Sequence, residues 1–420
     1  MTPEIEKRIK AVQAGRVPTG YCSVAGTTMP KEWNLIKLGS IFGNRIDINH
    51  SDYELLSITA DKGVIPRSSI ADKDNSSEDK SKYKHICVGD IGYNTMRMWQ
   101  GVCALSAYDG IVSPAYTILA PSDGICASYF AYLFKMQFMI NLFYRNSQGL
   151  VDDTRCLKYE WFKNIEIKIP PISEQKKIAE ILATQDRVIE LKEKLIAEKQ
   201  SQKKYLTSVL LGDDFKKPFK LNSVTIDKKK WEKVRCEKIL FPSGKRNKEN
   251  LNLEPYAITN EYGFVPQKQA HDDFGYMKNA DRSAYIIVSS NSFGYNPARI
   301  NVGSIGYYDG SEDIIVSSLY EVFKTTDAID DRFLWHWFKS DVFPKWIDKL
   351  QEGSVRQYFY YDKLIRCEIN LPTLPEQKSI AEVLSAADEE ISLLQKDLEQ
   401  EKLKKKSLMQ LLLTGLVRVA

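Results

Sequence analysis

The 420-residue sequence is most informative first in what it lacks. No run of 18 or more apolar residues occurs, so no segment reads as a membrane-spanning helix. The opening stretch, MTPEIEKRIKAVQ, is charged and helical in pattern and lacks the apolar core of a secretory leader; the expected compartment is the cytoplasm. Seven cysteines stand at 22, 87, 103, 126, 156, 236 and 367, none at C-x-x-C spacing, and there are four histidines. Reduced, mostly buried thiols are expected, and no zinc-site spacing is present. There is no G-x-x-x-x-G-K-[ST] phosphate loop, no G-x-G-x-x-G, no G-x-S-x-G elbow and no zinc-deaminase pattern. These absences argue against an enzyme that carries its own nucleotide, cofactor or nucleophile machinery. The remaining composition, 43% hydrophobic and 27% charged, is that of an ordinary globular protein, long enough for two or three domains. A net charge of +4 permits an anionic partner without requiring one.

What is present is a repeat. PPISEQKKIAEILATQDRVI at 170–189 returns as PTLPEQKSIAEVLSAADEEI at 372–391, an offset of 202. YNTMRMWQG at 93–101 matches YNPARINVG at 295–303 at the same offset. VSPAY at 112–116 matches VSSLY at 316–320, GVIP at 63–66 matches GFVP at 263–266, and Trp33 has a counterpart in Trp231. The chain is therefore two copies of one unit. Each globular part carries β-branched and aromatic runs bounded by Gly, Asp, Ser and Asn, with helical spacing at 127–143 and 331–346, so each is expected to be α+β with an antiparallel or mixed sheet. The expected divisions are an N-terminal segment 1–29, a globular part 30–170, a helix 171–212, a linker and second globular part 213–372, a helix 373–415 and a tail 416–420.

The two helices show a heptad seam. In the first, Ile178, Leu182, Ile189, Ile196, Leu206 and Leu210 keep the register, interrupted by Gln185, Lys192, Lys199 and Lys203. In the second it is Ile380, Leu384, Ala387, Ile391, Leu394, Leu398, Leu408 and Leu412, interrupted by Glu401 and Lys405. Residues 174–211 as helix reach about 57 Å. Only a short linker separates the first helix from the second globular part, so the second helix must run back antiparallel to bury its seam. That implies an antiparallel two-helix coiled coil between two globular parts related by a pseudo-two-fold axis. The seam lysines read as residues that snorkel and tune register; Lys199, Lys203 and Lys204 facing a DNA backbone is the less favoured alternative.

The doubled turn carries the binding chemistry. Asn94 and Arg97 in one copy, Asn296 and Arg299 in the other, are spaced alike after a strand. Arg can bond guanine and Asn adenine in two places each, although an Asn that closes its own turn and an Arg paired with a carboxylate are equally ordinary. Arg67, Arg155 and Lys158 in the first copy, and Lys245, Arg246, Lys268 and Arg356 in the second, suit phosphate contacts. Asn296-Pro297-Ala298-Arg299 begins like the Asn/Asp-Pro-Pro-aromatic stretch of amino-methyltransferases. It lacks the second proline and the aromatic, and its sister copy reads Asn-Thr-Met-Arg.

The doubled P-x-x-x-E-Q-x-x-I-A-x-x-L helix start, the YNPARINVG stretch and the VSPAY and VSSLY strands resemble the specificity subunit of type I restriction-modification systems. The resemblance runs from about Trp33 to Gly415. It implies two target recognition domains, each reading half of a bipartite double-stranded DNA site, with the helices setting the gap and docking two methyltransferase subunits. It further implies that those partners hold S-adenosylmethionine and methylate adenine, that restriction subunits using ATP can join, and that this chain has no active site or bound cofactor. The rival expectation is a duplicated adaptor joining two partners through its coiled coil without DNA; a self-contained DNA-modifying enzyme is the weaker rival.

Overall fold

The computed structural model describes residues 2–24, 26–50, 52–60, 62–70, 76–149, 151, 154–212, 217–270, 282–350 and 358–419. The chain divides into two compact units. Unit 1 comprises Met1–Glu193 and Asp397–Ala420; unit 2 is Lys194–Lys396. Each unit therefore takes its globular part together with a portion of both long helices.

In unit 1 a four-stranded antiparallel sheet has the order Phe42–Arg45, Tyr116–Pro121, Ile91–Asn94, Cys103–Leu105. Alternation along its strands divides two cores. Leu119 and Tyr93 enter the main cluster with Phe42, Phe130 and Phe162, whereas Ile118 enters a smaller one with Ile58, Ile86 and Val112. Unit 2 repeats the order with Leu240–Pro242, Glu321–Thr325, Ser292–Tyr295 and Ile305–Tyr308. Phe323 and Tyr295 take the main side and Val322 the smaller. The expectation of two α+β copies is met strand by strand.

The apolar stretch at 127–143 is two helices, not one: Ala127–Leu133 and Gln137–Asn146. Met136 between them is extended, which turns Phe138, Met139 and Phe143 into the same core as Phe130 and Phe134. The stretch at 331–346 also breaks, into Asp331–Phe338 and Phe343–Leu350. There Ser340 bonds back to the Trp337 carbonyl and receives the Val342 N–H, and Pro344 has no N–H to continue a ladder.

The long helices are Ile172–Leu211 and Leu374–Leu413. Their pairing is antiparallel within each unit. In unit 1, Gln185 donates to Glu401, Asp186 pairs with Lys405 at 2.5 Å, Lys192 meets Asp397 and Glu401, and Glu193 meets Lys402 at 3.2 Å. In unit 2, Lys199 pairs with Glu390 at 2.6 Å and Lys203 with Asp388. Partner numbers fall as positions in the first helix rise. Ile178, Leu182, Leu398 and Leu412 are buried in unit 1, with Ile189 and Leu408 half-buried; Ile196, Leu210, Ile380, Leu384 and Ile391 are buried in unit 2, with Leu206 and Leu394 half-buried. The seam lysines thus serve register: Lys192, Lys199 and Lys203 each face an acid of the other helix.

The repeated Glu-Gln has a repeated job. Gln175 donates to the Pro170 carbonyl and accepts from the Cys126 N–H; Gln377 donates to Pro372 and Ala328 and accepts from the Asp330 N–H at 2.7 Å. In both units the glutamine ties the start of the long helix to the start of a core helix. A hairpin precedes the repeated tryptophan in each copy, Tyr21–Val24 with Thr27–Pro30 before Trp33, and Phe219–Leu221 with Val224–Ile226 before Trp231. The two hairpins, which fall in the segments expected as an N-terminal segment and a linker, are equivalent pieces of their units.

Candidate nucleic-acid interface

The sister turns have the same backbone. Asn94 Oδ1 accepts from the Met96 N–H at 2.9 Å, and Asn296 Oδ1 from the Ala298 N–H at 3.0 Å. The N–H groups of Arg97 and Arg299 each donate to the carbonyl of their asparagine at 3.0 Å. A 3-10 turn follows, closed by Gly101 at φ +78° and Gly303 at φ +93°, the left-handed region that glycine enters without steric cost. In both copies the asparagine carbonyl oxygen is spent on its own turn, and the arginine is left on the outside. Among the described residues neither Arg97 nor Arg299 makes an ion pair, and both side chains are exposed.

Unit 1 gathers further groups beside its turn. The Leu157 N–H bonds to the Thr95 carbonyl at 2.8 Å, which sets the segment bearing Arg155 and Lys158 against the turn. The Arg155 guanidinium lies 3.9 Å from the centre of the Tyr144 ring and donates to its hydroxyl at 3.1 Å. Trp99, inside the turn, stands edge-on to Tyr144 at 5.9 Å and donates its indole N–H to the Met96 carbonyl. Lys158 is exposed at the start of a short helix, Tyr159–Phe162. The Thr95–Leu157 bond thus sets the segment bearing Arg155 and Lys158 beside the turn of Arg97, where Trp99 and Tyr144 also meet. Sequence reasoning missed the two aromatics; their signal is only their place within and beside the doubled turn.

Unit 2 makes the matching bond from the Phe359 N–H to the Pro297 carbonyl at 3.0 Å. Tyr358 and Tyr360 stack there, with centroids 5.5 Å apart and planes 8° from parallel. Lys339 reaches toward the Gly303 carbonyl and lies 4.7 Å over the Trp335 ring; burial holds its pKa below the usual lysine value. Arg356 lies outside the described residues. The other basic candidates sit apart from the turns. The Arg67 N–H bonds to the Leu55 carbonyl at the end of strand Gly63–Pro66 remote from Gly63. Lys268 is held by Glu254 at 2.6 Å, which raises its pKa. Lys245 and Arg246 form a short exposed strand paired to Ile286 and Ile287.

This geometry defines a duplicated recognition protein: two unlike faces mounted on one repeated scaffold, each held to a stretch of paired helix. The family described as "Type I restriction modification DNA specificity domain" matches residues 30–199 and again 219–403. The chain belongs to that family and carries two of its domains. It is 30% identical over 280 residues to the type I restriction enzyme MjaVIII specificity subunit of Methanocaldococcus jannaschii, 61% of this chain and 63% of that protein, so under two thirds of that relative's length is spanned. It is 26% identical over 372 residues to the putative type I restriction enzyme MjaX specificity subunit of the same organism, 83% of this chain and 82% of that protein. The fold is shared with the solved type I restriction-modification S subunit from M. genitalium, at 14% identity and TM-score 0.55 over 91% of this chain and 96% of that one. A chain from a solved type I restriction-modification assembly matches at 13% identity and TM-score 0.55, over 92% of this chain and 98% of that one. Among the described residues no helix is long and apolar enough to cross a membrane.

Proposed function

We propose that this chain is the DNA-reading subunit of a type I restriction-modification assembly. Each unit reads one half of a bipartite duplex site through the face around its Asn-Arg turn. Arg97 and Arg299 reach base edges, Arg155 and Lys158 beside the first turn serve phosphates, and Arg67 and Lys268 serve phosphates farther from the turns. Asn94 and Asn296 shape the turns while their amide N–H groups and the second Oδ1 lone pair stay available for readout. The paired helices set the gap between half-sites and dock two methyltransferase subunits. Those partners hold S-adenosylmethionine and transfer methyl groups to adenine, while this chain performs no chemistry. Restriction subunits join the same assembly to cleave.

One observation carries this reading above the adaptor alternative: the same turn is built twice with an exposed, acid-free arginine, while the surfaces around it differ between copies. An adaptor that joins two partners through its coiled coil has no need of a repeated exposed cation on each globular part. The test is adenine-methylation mapping of DNA from cells that express this chain with its methyltransferase partner. The expected result is one bipartite motif with unlike halves and a fixed gap. Methylation without such a motif, or purified-complex binding that ignores salt where phosphate contacts demand a steep dependence, overturns it.

A further inference from the structure

Two of the four histidines in the sequence meet ring to ring in unit 1. His50 lies in the loop after strand Phe42–Arg45, and His85 on strand Lys84–Ile86; their ring centres are 4.8 Å apart. Asp47 bridges them. Its Oδ1 is 2.9 Å from His50 Nε2 and its Oδ2 is 3.2 Å from His85 Nδ1. On the far side of His85, Nε2 is 2.6 Å from Asp109 Oδ1. Asp47 and His50 are partly open to solvent, so an ion has access.

We propose that Asp47, His50 and His85 form a binding site for a zinc-class divalent cation, with water completing a tetrahedral shell. Ligand bonds of about 2.0–2.1 Å at tetrahedral angles place donor atoms about 3.3 Å apart. Here each histidine nitrogen already lies beside its own Asp47 oxygen, and one donor atom from each of the three residues falls within 4.8 Å of the other two, so small side-chain rotations close the set. Asp109 occupies the place of the carboxylate that fixes a ligating imidazole: the tautomer that donates Nε2–H to Asp109 presents His85 Nδ1 to a cation beside Asp47.

The second copy shows that the fold has no need of this set. Ile86 and Val288 occupy the same buried place in the smaller core of each unit, which makes His85 the counterpart of Ile287. Asp47 takes the His85 N–H on its carbonyl, and the residue paired to Ile287 is Lys245. Unit 2 closes the same strand junction with an isoleucine and a lysine. The histidine-aspartate set is therefore an addition to unit 1 rather than a part of the shared scaffold, and with the metal bound it would pin the loop of Asp47 and His50 to the sheet.

The test uses the full chain, stripped with a chelator and kept reduced, and titrated with Co2+ and then Zn2+. Wild type is expected to take up one Co2+ per chain with visible d–d absorption, to release it to Zn2+, and to gain thermal stability as it does so. His50→Ala and Asp47→Asn change exposed side chains and are expected to match metal-free wild type in circular dichroism while losing the saturable step. Asp109→Asn should weaken affinity about 10–100-fold. The proposal is overturned by the absence of a one-equivalent step, or by a step that both His50→Ala and Asp47→Asn leave intact; the latter result assigns the metal to other groups and leaves the cluster as hydrogen-bonded histidines between two carboxylates. Neither result touches the methylation readout of DNA recognition.

Discussion

Glu174 receives the Arg418 guanidinium on both carboxylate oxygens, at 2.6 and 2.7 Å, across 244 residues of sequence. Among the described residues its repeat partner Glu376 meets no arginine. It accepts instead from the Asp227 N–H, the Trp231 indole, and the N–H and hydroxyl of Thr373. The same buried carboxylate at the head of each long helix thus gathers the element that precedes or closes its own unit. In unit 1 that element is the chain's last turn; in unit 2 it is the hairpin segment ahead of Trp231.

Arg418→Ala should therefore cost more than a surface charge. Glu174 is only 4% exposed, and without its guanidinium a buried carboxylate is left, among the described residues, with the Val419 N–H at 3.4 Å. Losing charge-assisted bonds to a buried acid costs about 2–3 kcal/mol. Denaturant unfolding should show that loss in unit 1, and Glu174→Gln in the Arg418→Ala background should recover part of it.

Acid should destabilise unit 2 in a defined window. Burial, opposed in part by Asp388, pushes the His336 pKa down to about 4, and the ring bonds to Ser385 at 2.9 Å. The unfolded chain takes up that proton first, near pH 6.5, so stability is full above that value and falls as pH drops from about 6.5 to about 4. The loss approaches about 3 kcal/mol and then levels. Glu376 adds to it lower down: burial raises its pKa, the bonds from Asp227 and Thr373 outweigh burial, and the net lowering means stability lost below its ordinary range. Unfolding free energies of His336→Gln measured between pH 7 and pH 4 should be flatter than wild type; an equal slope assigns the acid sensitivity elsewhere.

The duplicated scaffold was legible because its signals are local or periodic. The heptad positions, the Ser/Pro-Glu-Gln helix starts and the Asn-to-Gly turn all announce themselves within a dozen residues. The breaks after Leu133 and Phe338 were not, because aromatic residues on all sides satisfy a helical pattern whether or not the chain kinks at Met136 or Ser340. For the interface, spacing marked Arg97 and Arg299, but not that Asn94 and Asn296 spend their oxygens internally. Trp99 and Tyr144 also escaped, since their contact depends on how the Gln137–Asn146 helix meets the turn. The Asp47–His50–His85 cluster could not be seen at all: 35 positions separate its two histidines, and only strand pairing brings them together.

Arg97→Ala and Arg299→Ala should fail differently. Each arginine is exposed on its own unit, so each substitution should relax one half of the methylated motif and leave the other intact, at about 1–3 kcal/mol of discrimination. Arg97→Lys should restore affinity but not specificity, because a lysine supplies charge without the two-pronged geometry. Loss of both halves in either single variant would point to a folding defect, and unchanged motifs in both would remove these arginines from the reading role.

The helix pair makes the final prediction. Lys203–Asp388 and Asp186–Lys405 are the same contact in the two copies, each index shifted by 202, so the register of pairing is itself written twice. A matched insertion of one heptad in both helices, after Lys194 and after Leu394, keeps all of these pairs and both hydrophobic seams. Seven residues add about 10.5 Å of helix, close to the rise of three base pairs at about 3.4 Å each. The methylated motif should keep both halves and widen its gap by about three base pairs. An insertion in one helix alone should instead set Lys199 and Lys203 out of step with Glu390 and Asp388 and lower stability. A gap that stays constant in the matched double insertion, with the protein folded and active, would remove the helices from the role of ruler while leaving the two reading faces where they are.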